Sequence, residues 1–297
     1  MLADALLQIY NAVLLPFVDY GFMRRALVAC VVIGSACGPI GTILVLRRMS
    51  LAGDAIAHAV LPGAAVGFIF FGLSLPAMTI GSFVAAALMA LLANLVTRWT
   101  KQKEDASFAS FYLISLALGV LLISTSGSKV DLLHFLFGSV LATNDESLIM
   151  IATASTVTLL VLAIIWRPLV VECFDPAFLR TAGGRGAMIH QIFMLMVVLT
   201  LVSAFQALGT LMAVGLLMLP ATAARFWCYG VIARASVAAG IAAVSAVAGL
   251  LISYHANFPS GPSIVLAAGG LYLVSLFIGS RDSLRLVWFP APQHKES

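Results

Sequence analysis

Six stretches of this chain contain no Asp, Glu, Lys or Arg: residues 26–46, 55–97, 106–128, 147–166, 191–224 and 235–280. A helix needs about 20 residues to cross the roughly 30 Å hydrocarbon layer of a bilayer, so each stretch is long enough for a crossing. Lipid cannot hydrogen-bond exposed backbone groups, and a chain immersed in it must satisfy them internally, as helices do. Composition agrees, with 62% hydrophobic and 9% charged residues, whereas a soluble domain carries about 25% charged residues. A soluble globule and a disordered chain are both excluded. The expected fold is all-α, a polytopic integral membrane protein with one transmembrane domain over residues 1–297 and no soluble domain attached.

Three of the stretches are long enough for two crossings. Turn chemistry places breaks near Gly72 to Pro76 and near Asn257 to Pro262. Residues 191–224 allow either one crossing or two short ones broken near Gly209, and the basic residues decide between them. With two crossings, 13 of the 16 Lys and Arg fall on one side of the membrane; with one, the split is 8 to 8. Positive residues collect on the cytoplasmic side, which favours two crossings, about eight to nine spans in all, and a cytoplasmic tail over 281–297. Residues 1–23 are expected to lie along the outer interface or to add a partial span. They carry Asp4 and Asp19 but no basic run, so no cleavable signal is expected there. The longest cytoplasmic connector is placed at 167–190 and the longest external one at 126–146. The basic excess reports orientation, and no nucleic-acid partner is implied. The cysteines, Cys30, Cys37, Cys173 and Cys228, form no CxxC pair and are expected as reduced thiols.

Of twelve acidic residues, eleven fall in loops, tails or span edges; Asp54 does not, and it stands at the start of a long apolar run, six residues beyond Arg48. Counted from Arg48, a helix places it about 9 Å inside the cytoplasmic edge and His58 about 15 Å in. A carboxylate at such depth costs a few kcal/mol on insertion scales unless it faces protein or water, so it marks a functional position by default. Asp54 and His58 are four apart and share a helix face. Together they offer an oxygen and a nitrogen to one point, half a divalent-metal site. Zinc needs four ligands, so a second copy across a two-fold axis would complete a two-Asp, two-His cage. Pro62 lacks the N–H that would bond the His58 carbonyl, and Gly53 and Gly63 flank the pair with room for a neighbouring backbone.

The run Arg47 to Gly63, with Gly53, Asp54, His58, Pro62 and Gly63 in place, resembles the signature of the permease subunit of zinc and manganese ABC transporters. The resemblance continues through Asp131 to Leu141, Phe174 to Phe178 and Pro259 to Pro262, covering nearly the whole chain in order. It implies an ABC importer permease in the bacterial inner membrane, acting as a homodimer with two cytoplasmic ATPases and an extracytoplasmic metal-binding protein. Metal would pass between protomers at Asp54 and His58. It also implies that the segment holding Glu172, Phe174, Asp175, Phe178 and Arg180 is a coupling helix seated on the ATPase. Two segments depart from the family pattern: Tyr254-His255-Ala256-Asn257 before the Pro-rich turn, and the glycine-rich run after Leu179.

Three further residues are candidates for a gate at the outer mouth. Asp131 and His134 lie three apart in the external loop, although Lys129 beside them would repel a cation, and His255 ends a span on the same side. The chain has no Gly-x-x-x-x-Gly-Lys-Ser/Thr loop, so it is read as a transport subunit rather than an enzyme, with hydrolysis left to a partner. An intramembrane metalloprotease would need a third ligand and a general base that are not evident. The alternative function is an ion-coupled carrier or channel with Asp54 as the cation or proton site. No permanently bound cofactor is expected. Asp and His donors accept zinc, manganese and iron alike, so the cargo stays open at this stage.

Overall fold

The computed structural model describes residues 13–72, 74–100, 102–125, 141, 143–181 and 183–285. Every regular element among them is a helix: α1 (Leu15–Asp19), α2 (Gly21–Leu46), α3 (Ser50–Phe71), α4 (Leu75–Trp99), α5 (Glu104–Thr125), α6 (Asp145–Phe174), α7 (Pro176–Thr181), α8 (Gly186–Leu208), α9 (Thr210–Ala224), α10 (Val231–Ala256) and α11 (Ser260–Ile278). Eight are long and apolar enough to span a membrane; α1, α7 and the apolar but short α9 are not among them.

The three expected breaks fall where the turn chemistry puts them. Gly72 closes α3 at φ 65°, Gly209 separates α8 from α9 at φ 84°, and Asn257 ends α10 at φ 53°. All three have positive φ: Asn257 is left-handed helical, which asparagine tolerates next after glycine, and Gly72 and Gly209 pair positive φ with extended ψ, which glycine alone adopts easily. Gly209 and its neighbours Leu208 and Thr210 are buried, so the irregular backbone is shielded from lipid as membrane depth requires. The chain doubles back there. Ala221 and Ala224 of α9 pack with Val45 near the end of α2, which returns Arg225 to the Arg47 end and supports the two-crossing count. With 15 residues, α9 spans only part of the bilayer.

Polar groups sort by membrane side. Arg47, Arg98, Glu104, Glu172 and Arg185 surround one cavity at the cytoplasmic end, and Arg25 pairs with Asp145 at 3.1 Å at the other. The Asn144 side chain caps α6 by accepting from the Ser147 N–H at 2.8 Å, and Asp145 and Glu146 in the first turn suit the positive end of the helix dipole.

Two expected boundaries move. The connector placed at 167–190 is mostly helical, because α6 continues through Arg167 and Pro168 to Phe174 and α8 begins at Gly186. Arg167 marks the edge of the apolar layer, and a helix needs no apolar residues to go on past that edge. At the N-terminus, residues 21–23 belong to α2 rather than to an interfacial segment. Small residues bring helices close: a methyl group on Gly63 would collide with the Gly81 carbonyl, so α3 and α4 touch backbone to backbone.

Candidate metal half-site and its cytoplasmic anchor

The link between α2 and α3 positions the candidate ligands. Arg48 adopts φ 59°, its N–H bonds the Val45 carbonyl at 3.1 Å, and the Met49 N–H bonds the Leu44 carbonyl at 3.0 Å. This is the 6→1 and 5→2 pattern of a Schellman turn, with arginine where glycine is usual. The chain therefore reverses within three residues and α3 starts at Ser50. Asp54 stands about 6 Å and His58 about 12 Å along the helix from Ser50, shallower than the distances counted from Arg48, because residues 47–49 form the turn and not the helix.

One turn apart on α3, His58 Nε2 and Asp54 Oδ1 lie 3.6 Å from each other. The carboxylate side chain is 50% exposed and the imidazole 20%, so the pair opens away from the core of the bundle. His58 packs its ring on Tyr112 of α5, with centroids 5.1 Å apart, and its Nδ1 is buried without a hydrogen-bond partner. Tyr112 is a neighbour that sequence reasoning missed. Its only signal was a polar-tipped ring within an apolar span. Pro62 lies inside α3, which runs unbroken from Ser50 to Phe71, so the motif is carried by a continuous helix. Gly53 admits the side chains of Leu217 and Met218 rather than a backbone. Among the described residues, no group of three or more His, Cys, Asp or Glu could hold a metal ion. Within this chain the two donors stand as a pair.

Below them, Arg47 ties three elements together. Its Nη2 lies 3.0 Å from Glu172 Oε2 with both side chains largely buried, its Nε donates to Cys173 Sγ at 3.3 Å, and its Nη1 meets His190 Nδ1. The guanidinium also sits over the Phe193 ring, 5.8 Å from the centroid. Glu172, grouped by sequence with the outward-facing coupling residues, turns inward to this cluster, and the signal for it was only the Arg47 of the motif itself. A cavity of about 670 Å³ adjoins the cluster, with Arg98, Glu104 and Arg185 on its walls.

The other coupling candidates lie at the surface. Phe174 and Phe178 are exposed large hydrophobic side chains, and Asp175 Oδ1 accepts from the Phe178 N–H at 2.8 Å, capping α7. Arg180 lies on α7, with its side chain outside the described residues. His255 is exposed at the outer end of α10, its ring edge-on to Tyr254 at 5.2 Å. It stands at the opposite membrane face from the start of α3. Asp131, His134 and Lys129 lie outside the described residues.

A bundle of helices, eight of them long and apolar enough to cross a membrane, defines a multi-pass membrane protein. The ABC 3 transport family matches residues 19–279, and the chain belongs to that family. Its sequence is 34% identical over 268 residues to the manganese import system permease protein ScaB of Streptococcus parasanguinis, covering 89% of this chain and 93% of that protein. Identity to the manganese transport system membrane protein MntC of Halalkalibacterium halodurans is 33% over 279 residues, 94% of each chain. Among solved structures, PsaBC from Streptococcus pneumoniae in complex with Fab matches with a TM-score of 0.80 and 33% identity, over 92% of this chain and 97% of that one. The resemblance read from the motifs and the multi-pass bacterial plasma-membrane location are thereby supported. The ion-coupled carrier or channel is not favoured.

Proposed function

We propose that this chain forms, as a homodimer, the translocation path of an ATP-driven importer of divalent metal ions, with manganese the leading cargo and zinc the second. The observation that carries this reading is the outward-opening pair, Asp54 and His58, 3.6 Å apart on one helix face without a third ligand among the described residues. Two such pairs facing each other across a two-fold axis supply two oxygens and two nitrogens, a donor set suited to either ion. The names of the relatives, a manganese import permease and a manganese transport membrane protein, favour manganese.

Hydrolysis belongs, in this proposal, to a partner ATPase that seats on the end of α6 and on α7 through Phe174, Asp175, Phe178 and Arg180. Glu172 contributes from behind, as the residue joining that segment to Arg47. An extracytoplasmic metal-binding protein delivers the ion at the outer mouth, where Asp131, His134 and His255 are candidate contacts. Rocking of the protomers opens the cage alternately to each side.

Metal accumulation by cells producing the whole transporter tests this. Asp54→Ala and His58→Ala are expected each to abolish manganese uptake while the complex still assembles. Wild-type uptake in both variants would overturn the site. Uptake of zinc but not manganese by the unaltered protein would reverse the order of cargo.

A further inference from the structure

α2 packs on both α6 and α10, but α6 and α10 scarcely touch each other. The gap between them is a groove of about 530 Å³, floored by Pro39 of α2 and walled by Leu159 and Trp166 on one side and Ala235 and Ala239 on the other. Gly38 explains how its floor forms: the α10 backbone at Ala235 and Ala239 approaches within 3.0 Å of where its Cβ would be, so α2 and α10 close tightly beneath the opening. The walls are apolar. The hydroxyl of Ser236, which also lines the groove, is satisfied within its own helix by the Ile232 carbonyl at 3.1 Å.

The groove lies in the cytoplasmic leaflet. Its α10 wall begins one residue into that helix, whose first turn lies on the Arg47 side, and its α6 wall ends at Arg167, about 7.5 Å short of Glu172 along the axis. Arg167 is exposed and forms no ion pair with any described residue. A cation without a carboxylate partner, at the mouth of an apolar groove of the positive leaflet and next to a tryptophan, is complementary to a phosphate that carries acyl chains. The face is remote from the candidate metal pair, because α3 packs chiefly on α4 and α5.

We propose that this groove binds one anionic phospholipid per protomer, its phosphate on Arg167 and an acyl chain between α6 and α10. The lipid bridges α6, whose end leads into α7, to a helix it otherwise hardly contacts. Native mass spectrometry of the purified transporter, titrated with phosphatidylglycerol and phosphatidylcholine of matched chains, tests it. The first lipid retained is expected to favour phosphatidylglycerol about fivefold, which corresponds to about 1 kcal/mol for one basic residue. Arg167→Gln is expected to equalise the two lipids. Ala163→Trp, which fills the groove but keeps the arginine, is expected to lower retention of both, whereas Arg225→Gln keeps the preference. Equal retention by the unaltered protein, or an undiminished preference in Arg167→Gln, would overturn the proposal.

Discussion

Replacing Glu172 with alanine removes the carboxylate facing the Arg47 guanidinium and leaves the guanidinium where it is. The side chains are 10% and 13% exposed and their charges 3.0 Å apart. At an effective dielectric of about 20, unit charges at that distance attract by about 5 kcal/mol. Breaking a buried pair from one side typically costs about 3–5 kcal/mol, because an uncompensated charge stays behind. His190 and Cys173 still touch Arg47, but neither carries the negative charge it needs. Removing both charges, with Arg47→Met and Glu172→Leu together, is expected to cost much less than the two single changes added. Thermal unfolding of the purified protein, followed by the fluorescence of its four tryptophans, reports this. At about 2–4 °C per kcal/mol, Glu172→Ala is expected to lower the midpoint by on the order of 10 °C, and the double variant is expected to recover most of it. A fall of under about 2 °C, which is within 1 kcal/mol on the same scale, or simple additivity, would refute the account of Arg47 as a bolt between α2, α6 and α8.

Two further outcomes test the packing and the partner surface. Gly63→Val is expected to prevent folding, because any Cβ there overlaps the Gly81 backbone, whereas Gly240→Ala, with nothing within 4 Å, leaves yield unchanged; expression with size-exclusion chromatography separates the two. Phe178 is 59% exposed, so Phe178→Ala is expected to leave thermal stability intact while weakening ATPase association by about 2 kcal/mol, as loss of an interface anchor does; co-purification at graded ATPase concentration checks this.

How far the fold and the site could be read from residues alone follows from what each depends on. Spans, breaks and sidedness depend on local chemistry. Apolar runs free of charge must be helices in lipid, Gly72, Gly209 and Asn257 stand where the backbone must take positive φ, and the distribution of arginine sets orientation. The Asp54 and His58 pairing needs only helical periodicity, so it too was visible in advance, and the structure brings the two to 3.6 Å. The starting point of α3 was not visible. A Schellman turn with Arg48 in the glycine position depends on the neighbours that hold it, and it shortens the depth of Asp54. The inward turn of Glu172 to Arg47, 125 residues away in the chain, and the ring of Tyr112 beneath His58 are contacts between helices. Nothing in the local pattern of either partner specifies such contacts. They arise where small residues such as Gly38 and Gly63 let backbones meet, because a helix in lipid gains little from hydrophobic burial and takes its neighbours by fit.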